Sequence, residues 1–229
     1  SYVLMASMDE CVRLMEKKHK EIFGRYVDLL QRTREQLKNM EHLSLWESTA
    51  YDRSKILIST AGCTIQREEM KKYTGKQLYN SMRGKYLLQL EMSAPDYVIA
   101  MTAPGDTERG MHRLVDALSE IDSELAKYKE SESIYAKSRE IGIELQENLQ
   151  IYSSSEINKF RNKRKKISLE ACGGYVAAEY AYVYPPGIPL IVPGERISEK
   201  TVRQIVKYQK TGFDIRGIHE TGRIEVLDN

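Results

Sequence analysis

Cysteine is scarce in this chain: Cys11, Cys63 and Cys172 stand alone among 229 residues. An odd count without short spacing excludes a disulfide framework and a cysteine-based zinc site. The four histidines, His19, His42, His112 and His219, share no ligand spacing with one another or with cysteine, so no metal centre is expected. No apolar run approaches about 18 residues, the length needed to cross a bilayer. No signal-peptide pattern is visible, and the chain reads as cytoplasmic. Neither sign of charge dominates. The balance of 35 basic against 33 acidic residues leaves +2, which gives no global attraction to nucleic acid or to a membrane. Tryptophan occurs once, at Trp46, and is expected to pack. A phosphate-binding loop is absent too. Thr74-Gly75-Lys76 invites that reading, but the flanking positions that would need glycine and a hydroxyl hold Met70 and Gln77. An initiator methionine is also missing: the sequence starts at Ser1 and enters a helical pattern almost at once, so it reads as a piece of a longer protein.

What is present is ordinary for a globular protein, with 41% hydrophobic and 30% charged residues. The length suits one large domain or two modest ones. From Leu4 to Met40, apolar residues at Met8, Cys11, Val12, Met15, Ile22, Phe23, Tyr26, Val27, Leu30 and Leu37 recur at steps of three and four. That spacing predicts a long amphipathic helix with one buried stripe. Asp52–Thr60 is rich in β-branched residues and predicts a strand. A helix is expected over Glu68–Met82, capped or broken near Thr74-Gly75, then strands over Leu87–Glu91 and Tyr97–Thr102. Ala94-Pro95-Asp96 supplies turn chemistry between them. Asp106-Thr107 can cap a helix running through Met111, Leu114, Leu118, Ile121 and Leu125. The order describes an α+β unit.

Residues 128–155 are polar and weakly patterned, with serines at 131, 133 and 153–155, and read as a linker; Ile141, Ile143, Leu145, Leu149 and Ile151 suggest that parts of it still pack. A second α+β unit follows over 156–229. It opens on a basic run, Asn158–Lys166, with six Lys or Arg in nine residues and Phe160 as the sole aromatic. A solvated linker or helix face is one reading of this run, and a phosphate or nucleic-acid surface the other. Then come a short helix near Ser168–Cys172, Gly173-Gly174, an apolar run from Tyr175 to Tyr184, a helix over Ser198–Gln209 and a strand near Arg223–Val226. No internal repeat is seen.

Four of the six prolines fall between Pro185 and Pro193, in the segment Tyr184–Glu195, Y-P-P-G-I-P-L-I-V-P-G-E. Proline fixes φ and restrains the residue before it, while glycine at 187 and 194 permits turns that a side chain would block. Glu195 therefore follows a stiff turn, a sensible way to present one carboxylate to a cation; a structural hydrogen-bonding role is the other reading. In its order this region closely resembles the C-terminal domain of the Orn/Lys/Arg decarboxylases. Glu170-Ala171, Gly173-Gly174, the run Tyr175–Val183, Y-P-P-G-I-P, and Pro193-Gly194-Glu195 with Ile197 follow the family's pattern. Ser1–Asp9, S-Y-V-L-M-A-S-M-D, resembles the stretch that follows that family's cofactor-binding domain. Asp52–Thr60, Gln89-Leu90-Glu91-Met92 and Gly105-Asp106-Thr107 resemble pieces of the small domain of fold-type I pyridoxal-phosphate (PLP) enzymes.

The resemblance implies an α+β fold in which residues 1–127, with the long helix, form the small domain of a fold-type I PLP enzyme. Residues 156–229 would form the small decarboxylase C-terminal domain. It implies a decarboxylase of arginine, lysine or ornithine, with arginine favoured, serving polyamine synthesis or acid resistance. In such enzymes PLP is held by a lysine in a Ser-x-His-Lys motif and acts as an electron sink for the carbanion left when CO2 departs. The single His-Lys pair here, His19-Lys20, follows Lys17-Lys18 on the long helix and reads as a solvated face. The Schiff-base lysine therefore belongs to a missing N-terminal PLP-binding domain, and this chain alone is expected to be inactive. Two positions are implied to touch the intact site. Glu195 would attract the distal cation of a basic amino acid substrate, and Ser1 would lie near the PLP phosphate of a neighbouring subunit. A homodimer or higher oligomer is implied as well. A non-catalytic interaction or oligomerisation module derived from such an enzyme is the rival reading.

Overall fold

A computed structural model of the chain describes residues 1–65, 71–128, 148–218 and 222–228. The start of the helix expected from Glu68, the linker positions Ser131, Ser133, Ile141, Ile143 and Leu145, and His219 lie outside the described residues. The chain divides into two compact units, one of Ser1–Leu90 and Asp96–Ile141, the other of Glu91–Pro95 and Gly142–Asn229.

The first unit opens with α1 (Tyr2–Leu37). The expected stripe is buried only toward its C-terminal end, at Tyr26, Leu29, Leu30, Thr33, Arg34 and Leu37. Met8, Cys11, Val12, Phe23 and Val27 are exposed, so the stripe is helical as its spacing predicts but half of it has nothing against it in this unit. Strands β1 (Ser44–Trp46) and β2 (Lys55–Ser59) pair antiparallel, with Leu45 opposite Ile58. Two short strands, β3 (Thr64–Ile65) and β4 (Lys71–Lys72), form a separate ladder. Helix α2 (Gly75–Gly84) begins at Thr74, whose hydroxyl accepts from Gln77 N while the Gln77 side chain accepts from Thr74 N. That reciprocal cap satisfies two otherwise orphaned donors. β5 (Met92–Ser93) falls in the Glu91–Pro95 stretch of the other unit, and β6 (Tyr97–Met101) of this one pairs antiparallel with β2, Leu57 opposite Ile99. Helix α3 (Glu108–Ala126) starts from Thr107, as its capping chemistry predicts. Ile56, Ile58, Leu78, Met82, Leu118 and Ile121 meet in the core.

No strand forms over Leu87–Glu91. Leu87 takes φ +55° and is 78% exposed, and the next amide, Leu88 N, donates back to Met82 O at 2.9 Å. The segment spends its apolar residues on wrapping the end of α2 instead of on a ladder. Trp46 is 36% exposed, so the expectation that it packs away from solvent is met only in part.

Two buried polar residues brace this unit. Asp122, 8% exposed, accepts from the backbone N–H groups of Glu41, His42 and Leu43 at 2.9, 2.9 and 2.7 Å, fixing the turn that leads from α1 into β1. Arg34, 3% exposed, donates Nε to Glu47 Oε1 at 2.9 Å and Nη1 to the carbonyls of Arg53 and Lys55, beneath the Tyr51 ring. Burial alone would push the Glu47 carboxyl up, but hydrogen bonds from Arg34, Tyr51 and Lys38 outweigh it and hold the group below its ordinary range.

The second unit contains β7 (Leu149–Gln150), a kinked 3-10 segment at Glu156–Lys163, β8 (Arg164–Ser168) and a 3-10 turn at Leu169–Ala171. It continues through β9 (Ala181–Tyr184), β10 (Ile188–Ile191), β11 (Glu195–Arg196), α4 (Glu199–Lys210), β12 (Asp214–Arg216) and β13 (Arg223–Leu227). Three antiparallel ladders hold it: β10-β9-β12, β11-β7 and β13-β8. The apolar run Tyr175–Tyr184 is a strand only from Ala181. Before that the backbone splits its hydrogen bonds, Val176 bridging to Arg196 and Ala177 to Val226, so these residues join two ladders. Cys172, Ala177, Ile191, Ile197, Ile205 and Ile224 fill the centre.

Candidate functional site

The sequence directs attention to the turn that carries Glu195. Its backbone is held from both sides. Gly194 N donates to Ala177 O at 2.9 Å, and Gly194 O accepts from Ile151 N and Tyr152 N at 2.9 and 3.0 Å. Gly194 has φ +98°, and a Cβ there would stand 2.1 Å from Tyr152 O. Glycine is required twice over, by its dihedral and by the close approach of the Asn148–Tyr152 segment. Glu195 N then donates to Val192 O at 3.1 Å, and Glu195 O accepts from Ala177 N at 2.8 Å.

The Glu195 side chain is half-buried and turns back over its own loop. Its Oε2 accepts from Val192 N at 3.1 Å and from Asn148 Nδ2 at 3.2 Å. Asn148 also donates to Leu190 O at 3.1 Å, while its Oδ1 accepts from Ser198 N at 3.0 Å and from the Thr201 hydroxyl at 2.8 Å. Ser198 caps α4, its hydroxyl accepting from Thr201 N at 3.0 Å. One amide side chain thus ties together the proline-rich strand, the Glu195 carboxylate and the first turn of α4. Among the described residues both recorded bonds fall on Oε2 and none on Oε1, so the carboxylate retains acceptor capacity for a cation. Asn148 was not singled out by the sequence, because it sits in a stretch with neither periodicity nor motif.

Ser1 lies in the other unit. It is exposed at the N-cap of α1, and its side chain makes no capping bond. His19 and Lys20 are exposed on the same helix, with His19 Nδ1 3.0 Å from Met15 O, as expected for a solvated face. A Schiff-base lysine is best served by burial that lowers its pKa. Among the described residues no lysine is buried, and the two lysines with a resolved shift, Lys85 and Lys165, are pushed upward. Lys85 donates to Glu120 and Glu124 at 2.8 and 2.9 Å, and Lys165 pairs with Asp228 at 2.7 Å. None of the described lysines whose burial is given therefore fits a PLP anchor. No group of three or more His, Cys, Asp or Glu side chains among the described residues could hold a metal.

The basic run is partly neutralised from within. Arg164 pairs with Glu225 at 3.1 Å and Lys165 with Asp228 at 2.7 Å, across or beside the β8-β13 ladder, while Phe160 packs on Tyr152 at a ring separation of 5.1 Å. Its aromatic residue is part of the fold and offers no stacking platform. Among the described residues, no helix is long and apolar enough to cross a membrane.

The family model "Orn/Lys/Arg decarboxylase, C-terminal domain" matches residues 139–215. An arginine decarboxylase of Halalkalibacterium halodurans is 28% identical over 229 residues, and those of Bacillus anthracis and Bacillus subtilis are 27% and 24% identical over 225. Each match covers 95% of this chain and 43% of the relative, so the chain spans less than half the length of the proteins it matches. The structure of the constitutive lysine decarboxylase of E. coli superposes with a TM-score of 0.71 at 16% identity, over 99% of this chain and 43% of that one. Lysine decarboxylase A from Pseudomonas aeruginosa gives 0.65 at 18% identity, over 97% and 42%.

Proposed function

We propose that the chain is the C-terminal portion of a PLP-dependent decarboxylase of basic amino acids of the Orn/Lys/Arg family, acting in the cytoplasm. Residues 1–127 are its fold-type I small domain and 156–229 its C-terminal domain. The observation that carries this reading is the Tyr184–Glu195 segment lying inside the matched family domain, in a chain whose similarity to arginine decarboxylases runs over 95% of its length. Arginine is favoured over lysine and ornithine because the named relatives at 24–28% identity are arginine decarboxylases. Polyamine synthesis or acid resistance is the corresponding role.

In this reading Glu195 presents its carboxylate to the distal cation of the substrate. Ser1 stands near a PLP phosphate in a dimer or higher oligomer. The Schiff-base lysine and the pyridine-nitrogen partner come from sequence outside these residues, and the chain by itself is inactive. The exposed apolar end of α1, with Tyr2 90%, Val3 80% and Met5 63% exposed, supports a further protein surface covering it, since apolar patches of this kind mark contact sites.

The test compares two proteins. The 229-residue chain incubated with PLP is expected to show no visible absorbance of a lysine-bound cofactor and to release no CO2 from arginine, lysine or ornithine. A version extended upstream through a Ser-x-His-Lys motif is expected to show both, with arginine the preferred substrate. CO2 release by the short chain, or none from any of the three substrates by the extended one, overturns the proposal. An upstream sequence without that motif favours the non-catalytic module instead.

A further inference from the structure

We infer that Asn148 is the residue that positions the Glu195 carboxylate for a cationic ligand; this rests on the proposed substrate role of Glu195. The Pro193-Gly194 turn fixes only the backbone at 194 and 195. Three side-chain torsions remain between that backbone and the carboxylate, and the turn does not set them. Two groups do: the Val192 N–H, within the same loop, and Asn148 Nδ2, from the segment entering the unit. Asn148 is itself immobilised, because all four of its hydrogen-bonding positions are used. Two donors go to Leu190 O and Glu195 Oε2, and two acceptor sites take Ser198 N and the Thr201 hydroxyl.

A planar amide is the side chain that offers two donors and two acceptors at this length. Aspartate is isosteric but would set a second carboxylate against Glu195 at the 3.2 Å contact, and serine is too short to reach all four partners. Glu195 binds Asn148 through Oε2 alone, so the amide holds the carboxylate while leaving Oε1 to a ligand. Asn148 acts through Glu195 and touches no substrate itself.

The experiment is steady-state kinetics on the intact PLP-loaded enzyme carrying Asn148→Asp, Asn148→Ser, Glu195→Gln and the Asn148→Asp/Glu195→Gln pair. Glu195→Gln and Asn148→Asp are each expected to raise KM for the basic amino acid by roughly ten- to a hundredfold, the scale of a lost charge-assisted contact, with kcat within about threefold. The pair is expected to be no worse than Glu195→Gln alone, because an aspartate at 148 then faces no carboxylate at 195 to repel. Asn148→Ser, neutral and smaller, is expected to move KM in the same direction should the aspartate variant not fold. A purely structural Asn148 lowers the melting temperature and leaves KM alone. An unchanged KM in folded Asn148 variants, with Glu195→Gln impaired, overturns the positioning role only, as does strict additivity in the pair. An unchanged KM in Glu195→Gln removes the substrate role of Glu195 and the inference with it.

Discussion

Gly194→Ala tests whether the Asn148–Tyr152 segment clamps the turn that carries Glu195. Two effects combine. A non-glycine residue at φ +98° is strained by about 1–3 kcal/mol. The new Cβ would also lie 2.1 Å from Tyr152 O and 2.9 Å from its carbonyl carbon, well inside contact distance. The neighbour is backbone and cannot swing aside like a side-chain tip, so the segment must retreat. Retreat breaks the bonds from Ile151 N and Tyr152 N to Gly194 O, each worth about 0.5–1.5 kcal/mol. The sum is about 2–6 kcal/mol. Gly187→Ala is the matched control. Gly187 has φ +119° but open space where its Cβ would stand, so it incurs the strain alone, about 1–3 kcal/mol. Urea unfolding of the second unit, followed with residue-resolved hydrogen exchange, measures both. Gly194→Ala is expected to be the less stable by about 1–3 kcal/mol, with protection lost at the Ile151 and Tyr152 amides. Equal stability of the two variants, with both amides still protected, would refute the clamp.

Three further outcomes follow from the same structure. Asp122→Ala leaves three backbone N–H groups without their carboxylate and is expected to destabilise the first unit by about 2–4 kcal/mol, discounted because water can reach the turn; a loss below about 0.5 kcal/mol in urea unfolding would contradict the bracing role. The Glu47 carboxyl sits below its ordinary 4.5 when folded, so its pairing contributes stability above that pH and loses it as pH falls through the folded value. Glu47→Gln should therefore be destabilised at neutral pH, and its gap from the parent chain should close in acid; a gap that is constant with pH sinks the assignment. Cys11 is exposed, whereas Cys63 and Cys172 are buried and burial pushes the Cys172 thiol up to about 11. A thiol reagent at mildly alkaline pH should modify one cysteine quickly in the folded chain and all three in denaturant, and two fast native thiols would show the buried assignment to be mistaken.

The helix periods, the strands at Lys55–Ser59 and Tyr97–Met101, and the caps at Thr74 and Thr107 were legible in the sequence, because each depends on neighbours within a few positions. So was the resemblance to the family whose model matches residues 139–215, since Tyr184–Glu195 is a local string of prolines and glycines with few alternatives. The readings that failed or stopped short depended on distant residues. Leu87–Glu91 has strand composition but is turned by Leu87 around the end of α2. Half the α1 stripe is apolar by period and exposed in its unit.

At the candidate site the division is sharpest. The sequence alone determined that a stiff Pro-Gly turn precedes Glu195, because proline and glycine act on their own backbone. Only the tertiary structure decided where that carboxylate points. It is held by Val192 N within the loop and by Asn148, 47 positions away in a stretch without pattern, whose bonds to Glu195, Ser198 and Thr201 exist only once β7 and β11 have paired. Hydrogen bonds between side chains so far apart leave no periodic trace in a sequence, since their geometry is fixed by the ladder that brings them together.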